Sequence, residues 1–179
     1  EDGLDVLNGS YAPGGTSQIG VTVTGSAGNA RLYGWIDYNA DGDFDDAGEH
    51  VADGTGPFAN LADGLHSVTI TPPVDAALGL LGMRWRVSSD SGLSFVGPAS
   101  DGEVEDGLLE ITRPTTVYVD DDWSTVAAGD DPDGTGPATR FGYDSFANLQ
   151  TAIDVVATDG LVSVHPGSYG GLSIDKSVS

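Results

Sequence analysis

Asp37, Asn39, Asp41 and Asp43 fall at alternate positions in the segment DYNADGDFDDAGE, with Gly42 after the third of them and Glu49 at its end. Oxygen-bearing side chains at every second residue of a tightly turning backbone converge on one point, which is what a hard cation such as Ca²⁺ requires. The D-x-N-x-D-G run matches the opening of an EF-hand-type loop. There the first, third and fifth positions give side-chain oxygens and the seventh, here Asp43, gives a backbone carbonyl. Glu49 stands one place later than the closing glutamate of such a loop, so Asp45 or Asp46 is an alternative to it. Without a cation, like charges at this spacing repel and raise one another's pKa values. The segment therefore predicts a Ca²⁺ site built from Asp37, Asn39, Asp41, Asp43 and Glu49, against the plainer reading of a solvated acidic hairpin.

The other reactive residue types are less ordered. Asp120, Asp121, Asp122, Asp130, Asp131 and Asp133 are a second concentration of acids without a recognised ligand spacing, readable as a second Ca²⁺ site or as a solvated loop. Glu103 and Glu105 are expected to pair with Arg84 and Arg86 across neighbouring strands rather than to act as catalytic carboxylates. His50, His66 and His165 are isolated, and no Ser-His-Asp order suggests itself. The stretch GDDPDGTG lacks the lysine of a phosphate-binding loop. Trp35, Trp85 and Trp123 could stack sugars, although Trp85 shares a strand face with Met83 and Val87 and reads as core.

Composition narrows the partners. Of 179 residues, 28 are acidic and 6 basic, giving a formal net charge of -22 that repels nucleic acid, anionic membrane and anionic polysaccharide. The same balance favours divalent cations. Cysteine is absent, which removes disulfides, zinc-thiolate sites and thiol nucleophiles. No apolar run approaches the roughly 20 residues of a membrane span. The sequence opens on EDG without Met or a signal peptide and breaks off inside an apparent strand, which reads as a segment of a longer, processed chain. Asn8-Gly9-Ser10 matches the N-glycosylation acceptor pattern.

Strands must position the acidic loop. Gln18–Thr24 alternates Ile19, Val21 and Val23 against small or polar residues. Arg31–Asp37 is apolar on both faces and so is expected to be central in its sheet. Leu65–Thr71, Gly82–Ser89 and Glu103–Thr112 complete a series of short strands, with a short helical crossing expected at Asp75–Leu81. The spacing predicts an antiparallel β-sandwich over 1–112 and a linker at 113–116. A second unit over 117–179 opens with a strand at Val117–Val119 and an acidic, glycine-rich loop. The helical period then predicts a helix over Ser145–Thr158, N-capped by Ser145 and ended by Gly160. Short strands are expected at Leu161–Val164 and Leu172–Val178.

Three blocks in order, DYNADGDFDDAGE, RWRVSSDSGLSF and ASDGEVEDGLLEI, resemble the GEVED domain of bacterial secreted and surface proteins, whose name is spelled by Gly102–Asp106. The acidic start at Glu1 fits the same domain, and the resemblance covers about the first 112 residues. VYVDDDW, FGYDSFANLQTAIDVVATDG, LVSVHPGSYGG and LSIDKSVS resemble the opening segment, capping helix and first coil of a right-handed parallel β-helix. The expected fold class is all-β: an antiparallel sandwich followed by that helix and first coil.

The resemblances imply a non-enzymatic, extracellular or cell-surface structural or adhesive module, stabilised by Ca²⁺. Its implied partners are copies of itself or neighbouring domains, with glycans a further option, and it would assemble into a larger surface or fibrous structure by head-to-tail contact. The alternatives are a non-catalytic fragment of a secreted polysaccharide-degrading β-helix enzyme, or a carbohydrate-binding module using Trp35 or Trp123.

Overall fold

A computed structural model describes residues 4–6, for which only the backbone path is described, and 10–179. The glycosylation pattern at Asn8 and the apolar Leu7 lie outside the described residues. Among the described residues the protein is mostly β with one short helix. In chain order the strands are β1 (Leu4–Val6), β2 (Ser10–Tyr11), β3 (Ser17–Val23), β4 (Arg31–Ile36), β5 (His50–Asp53), β6 (Gly64–Ile70), β7 (Gly79–Ser88), β8 (Glu103–Ile111), β9 (Thr116–Val119), β10 (Ser145–Phe146) and β11 (Leu161–Val164), with helix α1 at Leu149–Val155.

Two compact units share the chain. The first comprises residues 1–9, 19–68 and 77–110; the second comprises 10–18, 69–76 and 111–179. In the first unit, β1-β3-β6 form one sheet, β1 and β3 pairing antiparallel from Leu4↔Val23 to Val6↔Val21. A second sheet runs β8-β7-β4-β5. There β4 is antiparallel to both neighbours, pairing Arg31↔Ser88 through Ile36↔Met83 with β7 and Tyr33↔Asp53 with β5. β4 is interior to its sheet, and side chains of both its faces, Leu32 and Ile36 as well as Tyr33 and Trp35, are buried. Period-2 alternation holds in β3, where Ile19, Val21 and Val23 are buried, and at the end of β8, where Leu109 is buried beside exposed Leu108. Trp85 is fully buried with Met83 and Val87, as its strand face implied. The residue facing its ring is Gly34, where a methyl group would stand 2.3 Å from the indole.

In the second unit, β10-β9-β11 form a three-stranded parallel sheet, with Val117↔Val162 and Val119↔Phe146 in register. Val117, Val119, Phe146, Ala152, Val155 and Val156 make its core. Ser10 and Tyr11 run beside Thr112, whose N–H donates to the Tyr11 carbonyl at 2.8 Å. Arg113–Thr116, expected as a linker, is bonded within this unit. Arg113 donates to the Asp154 carbonyl at 2.7 Å, while the Pro114 and Thr115 carbonyls accept from Ala157 and Leu161.

Three local expectations need correction. The helix is shorter than 145–158, because Ser145 and Phe146 commit their backbone to the parallel ladder: Asp120 N–H donates to the Phe146 carbonyl at 3.1 Å. The cap is therefore Asn148, whose side chain accepts from Thr151 N–H at 3.1 Å. At the other end it is Asp159, not Gly160, that takes the left-handed conformation, with φ 61°. Leu172–Val178 is not a strand apart from a single parallel bridge between Val178 and Gly160. The helical crossing at 75–81 is a turn, after which β7 begins at Gly79.

Candidate metal centre

The acidic loop is pinned where it leaves and rejoins the sheet. Asp37 N–H donates to the Gly82 carbonyl and Ile36 N–H to the Glu49 carbonyl, both at 2.9 Å. Beneath it, Phe44 packs edge-on against Phe95 at 5.7 Å, and Trp35 stacks on His50 with ring centroids 4.8 Å apart. Backbone direction inside the loop is then set by side-chain oxygens rather than by a ladder. Asp37 Oδ1 accepts from Asp41 N–H at 3.2 Å and Oδ2 from Gly42 N–H at 3.0 Å. Asp41 Oδ1 accepts from Asp43 N–H at 3.2 Å and Asp43 Oδ1 from Asp45 N–H at 2.9 Å. These are the local carboxylate-to-amide turns that Asp and Asn favour. Gly42 has φ 96°, a left-handed turn that side chains resist.

The five sequence-selected residues divide by depth. Asp37 and Glu49 are buried, at 7% and 2% exposure. Glu49 Oε1 accepts from Tyr38 N–H at 3.0 Å and Oε2 from Asp46 N–H at 3.3 Å. Burial pushes the Glu49 carboxyl above its ordinary range despite those amides, with the Asp37 charge adding to the rise. Asp41 and Asp43 are exposed and converge with Asp46, their carboxylate oxygens lying within 4.8 Å of one another. Asn39 Nδ2 donates to both Asp41 Oδ2, at 3.0 Å, and Asp46 Oδ2, at 2.6 Å. Thus Asp46, which the sequence offered only as a substitute for Glu49, is the third carboxylate of the cluster. It directly follows Asp45 and so falls outside the alternate spacing of the acids before it.

This donor set is all oxygen, three carboxylates meet at its open side, and two further carboxylates lie buried at its base. A divalent hard cation fits such chemistry, because it neutralises like charges that water alone screens weakly at this range.

The second acidic stretch splits in two. Asp120, Asp121 and Asp122 bring carboxylate oxygens within 4.8 Å of one another. Asp120 caps Asp122 N–H at 3.0 Å and meets His165 Nδ1 at 3.2 Å, a pairing that nothing in the sequence spacing signalled. Asp131 and Asp133 instead cap turn amides, at Gly134 (2.8 Å) and Gly136 (2.9 Å). Trp35, Trp85 and Trp123 are all buried, so no indole face is open for stacking.

The GEVED stretch pairs differently from expectation. Arg84 forms a bidentate bridge to Asp106, with both N–O distances 2.6 Å, rather than to Glu103 or Glu105. Arg86 is buried and donates to the carbonyls of Ser94 (2.6 Å), Val96 (3.2 Å) and Gly97 (3.0 Å), stapling the β7–β8 connection. A buried guanidinium needs several fixed acceptors, and a loop of carbonyls supplies them. The Arg84–Asp106 pair is half open to water, with side-chain exposures of 29% and 60%. Asp106→Asn is accordingly expected to cost no more than about 1 kcal/mol in a urea melt.

Upstream of that motif, Asp101 accepts from the Ser88 hydroxyl at 2.6 Å and from Ser89 through both N–H (2.8 Å) and hydroxyl (2.5 Å). These bonds hold its carboxyl below the ordinary value of 3.8. A carboxyl lowered in the folded state adds stability that is full above 3.8 and is lost as pH falls through the lowered value. Asp101→Asn should therefore flatten the acid limb of the stability profile below that point while leaving its shape at neutral pH unchanged, measured by denaturant melts across pH.

Residues 31–107 match the GEVED domain family. The matched span begins at β4, contains the whole acidic loop and ends inside β8, just past Asp106. No curated protein matches the chain.

Proposed function

We propose that this chain is a non-catalytic, extracellular structural or adhesive module of a bacterial surface or secreted protein, in which Ca²⁺ makes a β-sandwich rigid. The observation that carries the reading is the convergence of Asp41, Asp43 and Asp46 above buried Asp37 and Glu49. Asp41, Asp43 and Asp46 would hold the ion, with Asn39 turning its amide oxygen toward it and Asp37 and Glu49 fixing the loop from below. The bound ion would supply positive charge that lets six acidic side chains share one loop. The match to the GEVED family over that same loop supports the assignment.

The second unit is read as the first coil of a parallel β-helix. Support comes from the parallel β10-β9-β11 sheet and from the single parallel bridge between Gly160 and Val178, where Val162 N–H donates to the Ser179 carbonyl at 2.7 Å and Ser179 N–H to the Gly160 carbonyl at 2.9 Å. Exposed Leu161, Val164, Leu172 and Ile174 on this coil favour a covering neighbour, either a further coil or another copy.

Calcium titration calorimetry tests the site. Saturable binding is expected, lost in Asp41→Ala and Asp46→Ala and kept in Asp45→Ala. Binding that survives both losses would remove the reading. Sedimentation at rising protein concentration with Ca²⁺ tests assembly, and a monomer throughout would count against it.

A further inference from the structure

The chain has 6 lysine and arginine side chains, and all but one are hydrogen-bonded to protein oxygens. Arg31 donates to the Gly54 carbonyl at 2.7 Å, Arg84 to Asp106 and Arg86 to the carbonyls of Ser94, Val96 and Gly97. Arg113 donates to the Asp154 carbonyl at 2.7 Å, and Lys176 to the carbonyls of Asp154 and Val156. Arg140, in the second unit, is the exception. Among the described residues, no acceptor meets its guanidinium, and its one hydrogen-bonded donor is the backbone N–H.

The surroundings of Arg140 hold the group without satisfying it. Its backbone N–H donates to Asp144 Oδ1 at 2.8 Å, and its carbonyl accepts from Tyr143 N–H at 3.0 Å and Asp144 N–H at 3.1 Å. The guanidinium carbon lies 4.3 Å from the centre of the Tyr143 ring and 5.1 Å from that of Tyr11. Both rings are themselves tied down, Tyr11 donating to the Gln18 carbonyl at 3.4 Å and the Tyr143 hydroxyl meeting Thr112 Oγ1 at 3.2 Å. A ring face attracts the charge but gives the in-plane N–H groups no lone pair. Nε is buried without a partner, while the terminal nitrogens, also unbonded, reach the surface. A buried N–H left unpaired on a cation is costly, and the chain's other cations are spared it.

We propose that Arg140 is the anchor for a carboxylate brought by a ligand, either a free monocarboxylic acid or an acidic side chain of a partner polypeptide. A carboxylate is planar and accepts two parallel N–H bonds from one edge of a guanidinium. Tyrosine beside arginine is also the composition that carries binding energy at interfaces. Phosphate suits the site less, because a net charge of -22 repels each added negative charge and a carboxylate brings one. The carboxylate of Asp144, four residues on, is committed elsewhere: it accepts from the backbone N–H groups of Thr139 and Arg140 and from the Thr139 hydroxyl.

The test uses the whole chain in metal-free buffer with about 150 mM salt, so that long-range repulsion is screened and no carboxylate can bind through a metal ion. Butyrate and Nα-acetyl-glutamate-methylamide are titrated by calorimetry, with Nα-acetyl-glutamine-methylamide as the uncharged comparator and inorganic phosphate as the second anion. One-to-one saturable binding of at least one carboxylate is expected, none of the glutamine compound and weaker binding of phosphate; the tighter carboxylate identifies the source. The same titration followed by NMR should move the Arg140 Nε–H signal, recognised by its closeness to the Tyr143 ring, a readout in the unaltered protein that stands even where a variant folds poorly. Arg140→Lys should weaken binding about tenfold, because an ammonium cannot form the paired bonds. Arg84→Gln, which removes the same charge from the first unit, should leave it unchanged. Failure of both carboxylates to saturate, equal binding of the glutamine compound, tighter binding of phosphate, an unmoved Arg140 signal, undiminished binding in Arg140→Lys, or equal weakening by Arg84→Gln would each overturn the proposal.

Discussion

Calcium at a thousandfold its dissociation constant is expected to raise the apparent unfolding free energy by about 4 kcal/mol over the protein in EDTA, which corresponds to an upward shift of roughly 10 °C or more in melting temperature. The size follows from linkage: the folded loop gathers Asp41, Asp43 and Asp46, whereas an unfolded chain has no such cluster. Asp41→Ala should abolish most of the rise and change the EDTA melt little, because Asp41 is exposed and its bonds are local turns. Asp46→Ala should do the same. Asp45→Ala should keep the full response, since its carboxylate is outside the cluster. Identical melts in Ca²⁺ and EDTA would end the calcium reading outright.

Gly102→Ala is the second large effect, expected to cost about 3 kcal/mol or more. Gly102 has φ 89° and an added Cβ would stand 1.8 Å from the Val87 carbonyl oxygen and 2.9 Å from Ser88 Cα. Two penalties combine. A left-handed conformation costs a side-chain-bearing residue about 1–2 kcal/mol, and overpacking costs about 1–3 kcal/mol more. The obstructing atoms are backbone of β7, so no rotamer change relieves the clash. Val104→Ala, on the exposed side of β8 two residues on, should stay within about 0.5 kcal/mol. Urea melts compare the two, and a loss below about 1 kcal/mol for Gly102→Ala would show that β8 can shift away from β7. The leading glycine of the GEVED motif is therefore explained by strand approach, independently of what its acids do.

The first unit was the more legible from sequence because its strands obey a period of two against a buried face. Ile19, Val21 and Val23, or Met83, Trp85 and Val87, declare a strand without knowledge of any partner. Ser145–Phe146 illustrates the opposite case: residues with helical spacing were taken by a parallel ladder whose other strand, β9, lies more than twenty residues upstream. A parallel pairing over that distance leaves no local signal, and tertiary context overrode propensity there.

At the site, the alternation of Asp37, Asn39, Asp41 and Asp43 marks the acidic loop between β4 and β5. It did not separate the oxygens that face outward from those that face the backbone. Burial decides that, and the spacing of the acids does not encode which of them, here Asp37 and Glu49, are buried. The pairing of Arg84 with Asp106 rather than Glu103 or Glu105 is likewise a matter of strand register, which a one-residue step inverts.

The flat stack of Trp35 on His50 has a practical corollary. His50 is the first residue beyond Glu49, so the indole touches the point at which the loop hands the chain back to the sheet. Any rearrangement at that junction alters the surroundings of a fluorophore already in place, and the emission spectrum of the unlabelled protein becomes a gauge of the loop's condition.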